Sequence, residues 1–598
     1  MSSEREEERV RLLHEPAADE GGEVEPKGHQ TCDVVVVGTG LAESLTAASL
    51  ARRGVKVLHL EPGETYGGLT WATRKLKDVL RDLQTIEVTE GEGVAEQETA
   101  SDAKARFSFR RSGSVSGVLP EVSDRVGKVD GNKVSLAGDL AADIESIQFD
   151  LVCAPKLCLG AGDLIEALVA SDAHRYLEFK AVQGTSMWAS GGEEADSEPR
   201  SFVVPASRSD IFKSKDLTPV EKRLLMRYLK SEQDAIAAEE SSGPGPTPPT
   251  AAAGDVTMEE YLRDTHKLPE KLRLIVMHGI ADLDDLGGKA PSAAEGRERL
   301  VKYAKSINRF GPGVGALLAC NYGGGELTQA FCRLAAVHGA TYVLKYPPRS
   351  VEVIEGDEGG HRYEVGIPGA APIRCKAVVV GPEARLCCAS SHAEPTEAGR
   401  IFRCACVAIQ DSPAKGGSIR LHVFPPNTVA GNSCTIRALC VEGNALNTCT
   451  NENLVVIYLS CRAAPGCGDP KAQLVGALSK LACLKDLDGS PGLDLPDLPM
   501  ALLCLYYTQE APEPAVIGGE SCIVHLGGPD ASLGFRDTVR AAAGCVSQLY
   551  PEHGNLFAEA EGKDEALEDS EDEAETSYLE RVLQSVSQTK IDGEALQE

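Results

Sequence analysis

Gly38-Thr39-Gly40 follows an apolar strand, CDVVVV, and opens a helix, and Glu61 ends the next strand 23 positions after Gly38. This is the arrangement that cradles a dinucleotide. Backbone N–H groups and a helix N-terminus face a pyrophosphate, and a carboxylate meets a ribose. One position breaks the pattern. Where a third glycine would let the helix pack close and keep the phosphate path open, the sequence has Glu43. A carboxylate in the first helical turn takes the helix dipole for itself and repels a pyrophosphate. The stretch after Glu61, Pro62 to Leu69, carries no arginine to replace what is lost. We therefore expect a dinucleotide fold with a vestigial motif (Gly38, Gly40, Glu43, Glu61) and no cofactor.

Other chemistry finds little support. The twelve histidines form no HxxxH or HExxH pair, so no metal site is expected. No Gly-x-Ser-x-Gly sits at a strand–helix turn. The nineteen cysteines include no CxxC and read as reduced thiols used as small core residues. Asp530, after the last strand, stands where related folds touch a cofactor, although a turn residue is the simpler reading.

The elements that hold these residues alternate as in an α/β protein. The helix SLTAASLARRG closes at Gly54 and leads to the strand VKVLHLE. After Gly323-Gly324-Gly325 a second unit repeats the logic, with the helix ELTQAFCRLAAVHG and the strand TYVLKY. A last strand, CIVHL, precedes the helix FRDTVRAAAGCVSQLY. Between these lie a capping box at Asp163/Glu166, a hairpin of RYLEFKAV and SFVVP, and capped helices starting at Thr218 and Thr257. Leu272, Ile275, Val276 and Met277 recur at helical spacing, as a core or as the wall of an apolar pocket. The expected fold is α/β: an FAD/NAD(P)-binding-like, Rossmann-type domain with a mixed sheet, plus a smaller helical domain. The expected division is a first part over 31–83, a flexible insertion at 84–143, a helical domain at 144–300 with a linker at 236–255, and the remainder of the first domain at 301–557.

The net charge of −30 and the pI near 4.9 exclude a protein built to bind phosphate backbones, so no nucleic acid is expected. About half of that charge sits on the ends. Residues 1–30 carry a net −5 and residues 558–598 a net −11, and both are read as disordered. The N-terminus has no apolar signal segment and no run of 18 apolar residues occurs, which leads us to expect a cytosolic protein.

At GTGLAES, VLHLEPGETYGG, FDLVCAPKLCLGAGDLIEALVASDAHRYLEFKAV and YGGGELTQAFCRLAAVHGATYVL the sequence resembles the Rab GDP-dissociation inhibitor and Rab escort protein superfamily. Its members share the flavoprotein oxidase fold but bind Rab GTPases. VPASRSDIFKSKDLTPVEKRLLMRYL resembles the escort branch, and the chain's length points the same way. The resemblance implies a non-catalytic partner of the Rab geranylgeranyltransferase α/β heterodimer. Such a protein binds newly made GDP-bound Rab, presents it, shelters the geranylgeranyl group and delivers the product by transient membrane contact. It further implies a Rab platform at Tyr66, Arg309, Glu326, Arg333, Thr341 and Val343, with Arg309 on a mobile loop, and a transferase interface at Phe212 and Arg223. The inhibitor branch and a flavin oxidoreductase are the alternatives.

Overall fold

The computed structural model describes most of residues 30–557. The longest stretches outside it are 80–103, 137–147, 242–255, 388–399 and 488–497, together with 1–29 and 558–598. Both acidic ends, and much of the expected insertion and linker, therefore lie outside the described residues.

Four consecutive valines, Val34–Val37, are all fully buried because they form an inner strand covered on both faces. Around them runs a six-stranded sheet in the order Thr341–Leu344, Val57–Glu61, Val34–Val37, Ala377–Val380, Ile523–His525, Ala515–Val516. All neighbours are parallel except the last pair. The helix Leu41–Arg52 makes the first crossover, and Gly54, at φ +82°, closes it. Its residues Leu41 to Ala51 are all buried. Small side chains (Ala47, Ala48, Ser44) let the helices Gly325–Val337 and Arg536–Leu549 pack against it.

A second sheet of eight strands runs in the order Arg200–Val203, Gly184–Ala189, Ile419–Phe424, Ile436–Glu442, Leu454–Arg462, Arg400–Ile409, Met500–Glu510, Val115–Val122. Leu421, Val441 and Leu505 on one face share a core with Leu225, Leu262, Leu272 and Ile275 of the helical layer. The other face, with Phe402, Cys404 and Leu459, packs on the helix Pro470–Leu478. The architecture is thus mixed α/β, with a Rossmann-type sheet and a helical layer. The described cysteines are free and mostly buried.

Four local readings change. The strand opposite Arg200–Val203 is Gly184–Ala189, with Met187 facing Phe202. Phe179–Ala181 instead pairs with Leu317–Cys320. The alternation of apolar residues was correct, but one strand was taken for its neighbour. Asp163 does not cap its helix; Gly162 holds that position without a side-chain bond, and Asp163 pairs with Lys302. The segment read as a flexible insertion contributes the strands Lys104–Phe109 and Val115–Val122, one in each of two sheets. Their alternating residues were outweighed by the polar composition around them. Finally, the helix from Pro219 runs to Ser241, into the expected linker.

Thr218 and Thr257 do cap their helices. Thr218 N–H donates to Glu221 at 2.7 Å, and Glu221 N–H donates back to the Thr218 hydroxyl at 3.3 Å. Thr257 and Glu260 form the same reciprocal pair. These caps and the buried stripe below them set the helical layer on the sheet. Leu272→Ala should lower unfolding free energy by about 2–5 kcal/mol, and Thr218→Ala by about 1 kcal/mol, in urea titrations followed by circular dichroism.

Candidate functional site

The glycine motif is built as the sequence implies, but its cradle is filled. The Glu43 side chain is 3% exposed. A Cβ placed on Gly40 would lie 2.6 Å from a Glu43 carboxyl oxygen, and one on Gly381 would collide with it. The carboxyl therefore occupies the space between two glycine backbones where a pyrophosphate would have to lie. Glu61, the ribose residue of the motif, accepts from Thr39 N–H at 2.8 Å, from the Thr39 hydroxyl at 2.6 Å and from Gly63 N–H at 2.7 Å. The Thr39 hydroxyl in turn accepts from Gly67 N–H at 2.8 Å. Glu383 accepts from the Thr70 hydroxyl at 2.5 Å. The residues present do not fit a dinucleotide, since carboxylates already take the donors and the space it needs.

Burial raises the Glu43 carboxyl to about 8, and Glu61 and Glu383 add repulsion in the same direction. Burial also raises Glu61, opposed by its bonds to Thr39 and Gly63. Asp530 is not part of this cradle. It is paired to the fully buried Lys156, whose Nζ also donates to Ser532 O at 2.8 Å and Gly534 O at 2.7 Å.

Beside the cradle the chain builds a surface. Gly67 and Gly325 bring two backbones together: a Cβ on Gly325 would stand 2.9 Å from both Thr73 N and Trp71 O, and one on Gly67 would stand 3.1 Å from the Thr328 hydroxyl. The Thr73 hydroxyl donates to Tyr322 O at 2.9 Å. Tyr66, just before Gly67, is thus held near the first turn of the helix Gly325–Val337, which carries Glu326. Arg333 lies two turns further on, exposed, with its guanidinium 4.4 Å from the centre of the Tyr176 ring. Tyr66 meets Tyr342 edge-on at 5.8 Å, and Tyr342 lies against His59 at 4.7 Å.

Among the described residues Thr341–Leu344 is an edge strand, paired on one side with Val57–Glu61. Thr341 and Val343 alternate with Tyr342 and are half-buried. Val343 packs on the cluster of Leu58, Leu60 and Val351, on the sheet face opposite Tyr342. Tyr66 thus stands on the Tyr342 face of the strand, and Thr341 and Val343 alternate to the other face. Arg309, expected on a mobile loop, is tied down: it pairs with Glu166 and donates to Gly160 O at 2.9 Å. Glu166 belongs to the helix Asp163–Ala170, and the following turn carries Tyr176. Arg309 and Arg333 are therefore connected through one short helical segment.

Sequence reasoning missed Tyr176, Tyr322 and Val337, which are 40%, 45% and 68% exposed. Val337 continues the stripe Glu326–Arg333 by one more turn and was findable by spacing. Tyr176 and Tyr322 come from other segments and carried no local signal.

The second candidate surface lies on the helical layer. Phe212 is on a short helix, Arg208–Lys213, rather than in the loop expected, because Ser207 and Asp210 form a capping box. Its side chain is 71% exposed. Lys222 Nζ donates to Phe212 O at 2.9 Å, which fixes the short helix to the next one. Arg223, Arg227 and Lys230 are exposed, while Leu225 and Tyr228 are buried. Val203 and Val220 are also exposed, at 62% and 57%. Leu272, Ile275 and Val276, by contrast, are fully buried in the core shared with the sheet and line no open groove.

A family model described as GDP dissociation inhibitor matches residues 142–460. The chain is 28% identical over 560 residues to "Rab escort protein 1" of Arabidopsis thaliana, covering 86% of this chain and 92% of that one. It is 32% identical over 351 residues to "Rab proteins geranylgeranyltransferase component A" of Drosophila melanogaster, covering 58% of this chain and 59% of that one. Among solved structures, Rab GDI from Plasmodium falciparum superposes with a TM-score of 0.59 at 17% identity, covering 88% of this chain and 99% of that one, a likeness of fold.

The buried Glu43 yields a pH signature. Its carboxyl is raised in the folded state, so its contribution to stability is full below pH 4.5 and is lost as pH rises through 8. Glu43→Gln should therefore stabilise the protein by about 1–3 kcal/mol at pH 8.5, with the gain shrinking towards pH 5, in denaturant titrations across that range.

Proposed function

The chain belongs to the GDP dissociation inhibitor family, and from that premise we propose that it acts as a Rab escort protein. It binds newly made GDP-bound Rab and presents it to the geranylgeranyltransferase heterodimer. It then keeps the lipidated product in solution and hands it to membranes. In this reading it is a non-catalytic component of the transferase, without a cofactor, and works in the cytosol. No helix among the described residues is long and apolar enough to cross a membrane.

The observation that supports the reading is that Arg333 and Tyr176 lie exposed near the filled cradle while Phe212 lies exposed on the helical layer. To the first surface we assign Tyr66, Glu326, Arg333 and Arg309, with Thr341 and Val343 from the edge strand. It mixes aromatic rings with fixed cations, the make-up of an interface hot spot. Aromatic anchors and charge pairs suit a GTPase switch surface, where they set register. The second presents Phe212 beside Arg223. An aromatic side chain of this size left in water on a capped, cross-linked helix is costly unless a partner covers it. A dissociation inhibitor would need the first surface and the lipid shelter but not the second. A twenty-carbon lipid makes a shelter obligatory, at about 0.8 kcal/mol per exposed CH₂.

Two substitutions separate the surfaces. Arg333→Ala should weaken binding of GDP-bound Rab by about 1–3 kcal/mol in a fluorescence titration, with the melting temperature unchanged. Phe212→Ala should abolish stimulation of Rab prenylation while Rab affinity stays near wild type. Loss of both activities together would make Phe212 a structural residue. Loss of neither would place the chain with the dissociation inhibitors.

A further inference from the structure

A cavity of about 100 Å³ lies between the helical layer and the body. Its walls include Leu157, Leu159, Leu317, Leu421, Val423 and Leu533. The backbone beside it, Ile275–Ile280, is wound as a π-helix. Such turns are uncommon and concentrate at functional positions.

Three arginines from three elements line this space, together with Asp163, Asp282, Lys302 and Asp537. Arg299 comes from the helix Ala293–Ser306, Arg437 from the strand Ile436–Glu442, and Arg536 from the start of the last helix. Arg299 Nε, Arg437 Nη2 and Arg536 Nε are buried and have no hydrogen-bond partner among the described residues. The Arg437 side chain is only 2% exposed. A buried donor without an acceptor is costly, and three lining one small space is an unusual concentration.

Their charges, however, are spoken for. Arg437 is held by Asp282 and Asp284. Arg299 and Arg536 share Glu295, Arg536 also pairs with Glu298, and Lys302 pairs with Asp163 and Glu298. The site has spare donors but no surplus of positive charge, so an anion gains little there. We propose that this cavity binds a small uncharged apolar molecule bearing an acceptor oxygen, of the class of ketones, esters and amides. The oxygen takes the spare N–H groups and the hydrocarbon rests on the leucines. About 10–15 Å³ of such space is enough to hold one water, so the cavity has room for several waters or a small ring.

The test compares three probes of one shape on the full chain: cyclohexanone, cyclohexane and cyclohexanecarboxylate, titrated by protein-observed NMR. Cyclohexanone should saturate one site at about millimolar concentration, the range for so small a ligand. Cyclohexane should bind about tenfold more weakly, the loss of one hydrogen bond to a charged donor, and the carboxylate no more tightly than the ketone. Val423→Phe, which fills the cavity, should abolish ketone binding. Equal affinity for ketone and hydrocarbon would overturn the role of the guanidinium donors, and tighter carboxylate binding would overturn the preference for an uncharged ligand. Absence of saturation at roughly tenfold above that range, or unchanged binding by folded Val423→Phe, would overturn the site itself. The probe comparison on the unaltered chain decides the matter even if that variant fails to fold. None of these outcomes depends on whether the chain escorts Rab.

Discussion

How near two backbones can come decides the exposed face of this protein. The segment after Gly67 and the first turn of the helix Gly325–Val337 come this close because Gly325 has no side chain: a Cβ there would press to 2.9 Å on Trp71 O and Thr73 N. That contact fixes where Tyr66 stands relative to Glu326. It also seats the helix on its neighbour, Leu41–Arg52, whose small side chains permit a close crossing. The edge strand that follows the helix is then delivered to the open side of the sheet, with Thr341, Tyr342 and Val343 along it. One steric constraint thus orders the turn, the helix and the strand that carry the residues proposed for Rab binding.

The same corner shows how a dinucleotide fold can be given over to binding. The strand–turn–helix is kept because it builds the sheet, while the groups that would grip a phosphate are engaged internally. Glu61 accepts three bonds from its own chain, and Glu43 fills the gap between Gly40 and Gly381. Three carboxyls, with Glu383, sit where an anionic ligand would require donors. Packing holds the fold while occupancy blocks the phosphate site, so the one does not require the other.

Much of this was legible in the sequence. The buried parallel strand shows as VVVV, the crossover closes at a glycine with positive φ, and Thr218 and Thr257 announce their helices by capping boxes. The filled cradle was legible too, because Glu43 occupies a position with a defined steric role. What was not legible was long-range. Asp163 and Glu166 have the spacing of a cap, but their partners, Lys302 and Arg309, lie over a hundred residues away. Strand pairing in the large sheet was misread by one strand, since Phe179–Ala181 and Gly184–Ala189 are both short and only the partner decides which sheet each joins. Tyr176 meets Arg333 across the fold, a contact that no local pattern predicts.

The order of strands in the first sheet has a consequence during synthesis. Val34–Val37 lies between Val57–Glu61 and Ala377–Val380, so one flank closes almost at once and the other waits for most of the chain. At about 5–20 residues per second, that delay is roughly 20 to 70 s. Through that interval four valines present an open, flat, apolar strand edge, the kind of surface that recruits other chains. The emerging polypeptide therefore has to be shielded before it can shield anything else, and its yield in cells should be limited by chaperone capacity more than by the stability of the finished fold.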